Sequence, residues 1–159
     1  MRLLHIISSL DPAQGGPPVV VSRLGAAQHA LGHDVSVLGY ARGDAKSRIH
    51  SMFSDVPEAG PRQIHLLEPG SRIEQLRARR ARRWLQEHLD GFDLLHLHGV
   101  WDPILSTAVR LATNHTVPWI ITPHGMLDPW CMSQGRFKKH VAIRTWVRPI
   151  LQHARFIHA

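Results

Sequence analysis

Leu3-Leu4-His5-Ile6-Ile7-Ser8, then Asp11-Pro12, Gly15-Gly16 and a helical stretch from Pro17 to Leu31, is the segment on which the fold turns. The first run is apolar almost throughout, as a strand buried on both faces must be. Proline and glycine punctuate its end. Pro17 suits a first helical turn, where a missing N–H costs nothing. Val20, Leu24, Ala27 and Leu31 recur at three-to-four spacing and are the expected inward face. Gly32 stops the helix. Residues 34–39 (Asp-Val-Ser-Val-Leu-Gly) then read as a second strand. The unit is strand–helix–strand.

The alternation continues outward. Residues 41–62 read as a long polar loop with a short helix near Ile49–Phe53. Residues 63–67 form a third strand and residues 72–89 a helix whose apolar side draws on Ile73, Leu76, Trp84, Leu85 and Leu89. A fourth strand spans 93–98. Asp102-Pro103 opens a helix over 103–114 as an N-cap and N1 pair. A fifth strand spans 118–122, a basic amphipathic helix 136–153, and a sixth strand lies at Phe156–His158. Such alternation predicts one α/β domain over 1–159, a doubly wound parallel sheet with helices on both faces.

The length of 159 residues suits one domain with a real core. One cysteine, Cys131, excludes an internal disulfide framework and a cysteine-rich zinc module, and fits a reducing compartment. No apolar run is long enough for a membrane-spanning helix. Met1–Ser8 reads as a buried strand rather than a signal peptide. The net charge of +7 is mostly arginine. One basic run holds Arg72, Arg77, Arg79, Arg80, Arg82 and Arg83, and another holds Arg136, Lys138, Lys139, Arg144 and Arg148. Such runs attract nucleic acid, anionic lipid or phosphorylated substrates, and are equally often a solvated helix face.

In an open parallel sheet ligands bind at the carboxyl ends of the strands. That rule selects three loops. In the first, Gly15-Gly16 precedes a helix whose N-terminus offers free N–H donors to a phosphate; the plainer alternative is a turn. No Gly-Lys-Ser/Thr or Gly-x-Gly-x-x-Gly pattern accompanies it. The second, His96-Leu97-His98-Gly99-Val100-Trp101-Asp102, places two histidines on one face of a strand. His96 reads as a hydrogen-bonded core residue and His98 as nearer the cleft. Trp101 is either core or a stacking platform. A metal reading with His124 or Asp102 as third ligand lacks a zinc-motif spacing. The third, Thr122-Pro123-His124-Gly125-Met126-Leu127-Asp128, brings His124 to the cleft, as a hydrogen-bond donor to a hydroxyl or phosphate or as a proton shuttle. Asp128 adds a carboxylate, and Cys131 reads as a plain buried thiol.

These loops, with Leu31-Gly32-His33-Asp34-Val35-Ser36-Val37, resemble the N-terminal domain of glycosyltransferase family 4. The resemblance implies the N-terminal half of a GT-B fold, in which two Rossmann-like domains face each other across a cleft. It implies transfer of a sugar from a nucleotide-diphosphate donor, with retention and without a required metal or other cofactor, to a glycan or lipid-linked acceptor in bacterial cell-surface polysaccharide synthesis. Gly15 and Gly16 would lie by the donor diphosphate. His124 would be the catalytic contact to the donor sugar. His98, Trp101, Asp102, Gly125 and Asp128 would shape the acceptor side of the cleft. Arg77, Arg80, Arg83, Lys138 and Lys139 would face an anionic membrane, which places the protein in the cytoplasm or peripherally on the inner face of the cell membrane. The family's C-terminal donor-binding domain, with its Glu-x7-Glu region, is absent from these residues, so the chain is expected to be a fragment that is inactive alone. The alternative is a non-catalytic basic module for anionic membrane or nucleic acid. The low aromatic content of 6% and the lack of an RNA-binding aromatic motif disfavour nucleic acid. A nucleotide-binding regulator is a third reading, and the missing phosphate-binding signature counts against it.

Overall fold

The computed structural model describes residues 1–55 and 63–158. Six parallel strands form one sheet: β1 (Arg2–Ser9), β2 (Asp34–Tyr40), β3 (Gln63–Leu67), β4 (Leu94–His98), β5 (Trp119–Thr122) and β6 (Phe156–Ile157), in the order β3-β2-β1-β4-β5-β6. The order reverses between β1 and β4. The crevice outside their carboxyl ends is where this doubly wound topology takes its ligands. The strands continue one another's register, with His5 opposite His96 and Ile7 opposite His98.

Helices α1 (Gly16–Ala30) and α2 (Lys46–Ser54) cover one face, where Ile7, Leu10, Val37, Val21, Ile49 and Phe53 pack together. On the other face Leu4, Ile6, Leu95, Leu97 and Ile121 meet helices α3 (Arg72–Arg77), α4 (Arg79–His88) and α5 (Pro103–Asn114) and the C-terminal helices. Leu4, Ile6, Leu95 and Leu97 are all at 0% exposure. Each such side chain contributes about 1.5–3 kcal/mol by leaving water.

The structure departs from the sequence reading in four places. The inward face of α1 is Pro18, Val21, Ser22, Gly25 and Ala26, while Val20 and Leu31 are 42% and 77% exposed. The small residues on the buried side bring the helix close to the sheet. The expected helix 72–89 is two helices, broken at Ala78, whose φ is +45°. Glu74 Oε1 accepts from the backbone N–H of Arg80 at 2.7 Å and so caps the second helix from the first. The break turns Ile73 and Leu76 outward, at 62% and 72% exposure. The expected helix 136–153 is preceded by α6 (Pro129–Ser133) and runs as α7 (Arg136–Ala142), a wide π-turn over Ile143–Val147, and α8 (Arg148–Gln152). Pro149 lacks the N–H that a regular turn needs there. The expected loop 41–62 contains α2 in full; its residues 56–62 lie outside the described residues.

Candidate functional site

The first loop begins with Asp11, whose carboxylate accepts from the N–H of Ala13 at 3.1 Å and from Arg48 at 3.0 and 2.7 Å. This two-point pairing holds the loop against α2 and keeps the Asp11 carboxyl below the usual carboxylate range. Gly15 follows with φ +121° and ψ −159°, a conformation only glycine adopts without strain. A Cβ at Gly16 would meet nothing within 4 Å, so the head of α1 is open to a ligand. Gly15 and Gly16 are both exposed.

Behind the carboxyl ends of β1, β4 and β5 lies a chain of imidazoles. His5 Nε2 is 2.6 Å from Gln28 Oε1 on α1, His5 Nδ1 is 2.9 Å from His98 Nε2, and His98 Nδ1 is 3.0 Å from His124 Nε2. The rings of His5 and His98, and of His98 and His124, stack with centroids 5.2 Å apart. His5 is 0% and His98 1% exposed. The structure thus places His98 behind His124 rather than on the cleft wall, and it reaches a substrate only through that ring. His96 is the core histidine expected, 4% exposed, with Nε2 2.8 Å from Thr122 Oγ1. Its Nδ1 is buried without a partner.

Burial governs the titration of the group. It pulls His5 down to about 4 and His96 to about 3, and holds His98 well below the ordinary histidine range. His124, half-buried, is lowered by burial and by His158. His124 also carries a φ of +54° and Gly125 one of +70°. The turn closes by Met126 N–H donating to Pro123 C=O at 3.1 Å, and it folds the His124 ring back onto His98. A left-handed histidine stores strain of about 1–3 kcal/mol, which tends to be kept where function needs the geometry.

His5, His96 and His98 each bring one ring nitrogen within 4.8 Å of the others, and neutral imidazoles are metal ligands. A cation there needs lone pairs from nitrogens that are already paired. His5 Nδ1 and His98 Nε2 share one proton across 2.9 Å. Of the three residues only His96 has a buried nitrogen without a partner. The residues fit a hydrogen-bonded chain better than a metal centre.

A cavity of about 680 Å³ opens at the carboxyl ends of β1 and β2 and the head of α5, and of Gly15, Gly16, His98, Trp101, Asp102, His124, Gly125 and Asp128 only Asp102 lines it. Ser8, Gln14, Tyr40, Arg42, Arg72, Leu76 and Asp102 are among the residues lining it. Asp102 stands at the N-cap position of α5 but makes no capping hydrogen bond. Burial raises its pKa, opposed by a hydrogen bond with the Ser8 side chain. Asp128 is exposed and accepts from the N–H of Cys131 at 2.7 Å as the cap of α6. Trp101 is half-buried against the core, with Lys139 Nζ 5.3 Å from its ring centroid.

The basic patch divides. Lys139 donates to the carbonyl of Cys131 and lies over Trp101, which ties α7 to the loop after β4. Arg83 pairs with Glu87 at 3.1 Å and Arg80 donates to the Glu68 carbonyl at 3.2 Å. Arg77 and Lys138 are exposed. No helix among the described residues is long and apolar enough to cross a membrane.

His5, Gln28 and the Arg48–Asp11 pair are missing from the sequence-derived site. His5 carried a signal, since a histidine inside an apolar strand must find a buried partner.

The topology and the position of the crevice define a doubly wound, Rossmann-like α/β domain. Residues 15–159 match the model of the glycosyl transferase 4-like domain, and the chain belongs to that family. No curated protein matches it. Among solved structures, UDP-GlcNAc 2-epimerase from Methanocaldococcus jannaschii superposes with a TM-score of 0.65 at 12% identity, over 100% of this chain and 39% of the epimerase. Sucrose-phosphate synthase from Thermosynechococcus elongatus gives 0.65 at 18% identity, over 99% of this chain and 41% of the synthase. UDP-GlcNAc 2-epimerase from Neisseria meningitidis, solved with UDP-GlcNAc, gives 0.51 at 15% identity, over 89% and 39%. These likenesses establish the fold, that of one Rossmann-like half of GT-B enzymes. The chain spans about two fifths of the length of these relatives.

Proposed function

We propose that the chain is the acceptor-side half of a retaining glycosyltransferase, which moves a sugar from a nucleotide diphosphate to a glycan or lipid-linked acceptor in bacterial cell-surface polysaccharide synthesis. The observation that carries the reading is the placement of an open glycine helix-head, the half-buried Asp102 carboxylate and a strained histidine at adjacent strand ends. N–H groups at Gly15 and Gly16 stabilise charge that develops on the departing diphosphate. His124 contacts the donor sugar. Asp102, with the cavity beside it, receives the acceptor hydroxyl. Trp101, Gly125, His98 and Asp128 act from behind, by shaping and supporting the two loops. The bond from sugar to diphosphate breaks, the bond from sugar to acceptor oxygen forms, and the acceptor proton leaves with the phosphate; no metal or other cofactor is required.

Exposed Ile73 and Leu76 beside Arg72, Arg77 and Arg80 support an anionic membrane as the source of a lipid-linked acceptor, with the protein held peripherally on the cytoplasmic face. Nucleic acid is not an expected partner. The donor's nucleotide belongs to a second domain, so the 159 residues alone bind donor weakly and transfer no sugar.

Amide NMR with pyrophosphate at millimolar concentration tests the site. Shifts concentrated at Gly15, Gly16 and Gly125 are expected. Shifts confined to Arg72–Arg83 would favour the non-catalytic basic module and overturn the reading.

A further inference from the structure

A carbonyl oxygen only accepts hydrogen bonds, and this fixes protons along the imidazole chain one after another. Gln28 Oε1 is 2.6 Å from His5 Nε2, so that nitrogen carries the proton and His5 Nδ1 keeps a lone pair. The lone pair faces His98 Nε2 at 2.9 Å, so His98 Nε2 carries the proton and His98 Nδ1 accepts. His98 Nδ1 faces His124 Nε2 at 3.0 Å, so His124 Nε2 donates inward and His124 Nδ1 keeps a lone pair. Among the described residues that Nδ1 has no hydrogen-bond partner, and its ring is half-buried at the carboxyl end of β5.

We propose that Gln28, His5 and His98 are positioning residues that hold His124 in its Nε2–H tautomer and so present His124 Nδ1 as an acceptor for a hydroxyl of the donor sugar. This rests on the reading that His124 meets that sugar. Three neutral rings in line transmit a choice of tautomer without carrying charge. Burial keeps the inner two neutral, with His5 at 0% and His98 at 1% exposure. His96 packs on them with centroids 4.9 and 4.3 Å away, and among the described residues its ring hydrogen-bonds only to Thr122, so it does not enter the line. His158, 3.5 Å from Thr122 Oγ1, is the other ionisable group beside it. The alternative is self-consistent and opposite. With the Gln28 amide nitrogen toward His5, every proton moves to the other nitrogen and His124 Nδ1 becomes a donor, suited to phosphate oxygen. The orientation of one amide on α1 thus decides which chemical group His124 selects.

Long-range proton–nitrogen NMR of histidine-labelled protein at pH 7.5 reads the tautomers directly. In the wild type His5, His98 and His124 are expected as Nε2–H. Gln28→Leu removes the acceptor, and the His124 Nδ1 resonance should move toward its protonated position. Gln28→Glu, whose carboxylate also only accepts, should keep the wild-type tautomer. A wild-type His124 protonated at Nδ1, or a tautomer unmoved by Gln28→Leu, would overturn the proposal. If the leucine variant does not fold, Gln28→Met removes the acceptor with a more flexible side chain, and the wild-type spectrum alone still decides the direction. The readout needs no sugar transfer, so its failure is separable from that of the donor assignment.

Discussion

β1 and β4 present two unlike faces made from alternate residues of the same strands. Leu4, Ile6, Leu95 and Leu97 on one side are fully buried in a dry core. His5, His96 and His98 on the other are just as buried but polar. A sheet needing only stability has no use for three stacked imidazoles at its centre, because each gives up hydration for one or two hydrogen bonds. The apolar face holds the fold, and the histidine face costs stability to orient a site at the strand ends.

Acid should separate the faces most strongly. The folded state keeps His5 and His96 neutral down to about 4 and about 3, whereas unfolded histidines protonate near 6.5. The stability they contribute is therefore complete above pH 6.5 and is lost as pH falls toward those values. The slope is about 1.4 kcal/mol per pH unit for each group. Urea unfolding between pH 7 and pH 5 should show the fall, and a flat profile would contradict the burial of neutral rings. On the apolar face, Leu97→Ala should cost about 2–5 kcal/mol at pH 7, read from the same transition, with its pH slope unchanged.

The glycine pair extends the comparison to the loop. Gly15→Ala should cost about 1–3 kcal/mol, because its backbone lies where a side chain is strained. Gly16→Ala should change stability by no more than about 0.5 kcal/mol, since its Cβ enters open space, yet it should weaken pyrophosphate binding. Equal thermal midpoints for the two variants would remove the distinction. The smallest effect belongs to the surface. Arg77→Glu should reduce sedimentation with anionic vesicles at least about fivefold, about what one cation contributes near such a surface, and leave neutral vesicles unaffected.

Much of this architecture is legible in the sequence. The six strands stand out as short apolar runs bounded by glycine and proline, and the glycine, Asp102 and His124 loops fall at their carboxyl ends. The inward face of α1 does not, because Val19-Val20-Val21 and Ala26-Ala27 put apolar residues on both sides of the helix. The break at Ala78 is hidden because alanine is the best helix former; its cause, the Glu74 cap, is a tertiary-like contact across the turn. The imidazole chain is only partly legible. His5 inside an apolar strand signals a buried partner, but its partners come from α1, β4 and the loop after β5, and their identity follows from the strand register and from how α1 and that loop pack.

The most direct measurement is sugar transfer from a nucleotide-diphosphate donor by this chain joined to a donor-binding α/β domain, with wild type set against His124→Ala. A fall in kcat of about a hundredfold or more is expected for loss of a group acting on the transition state. Unchanged turnover in His124→Ala, or robust transfer by the 159 residues alone, would contradict the account.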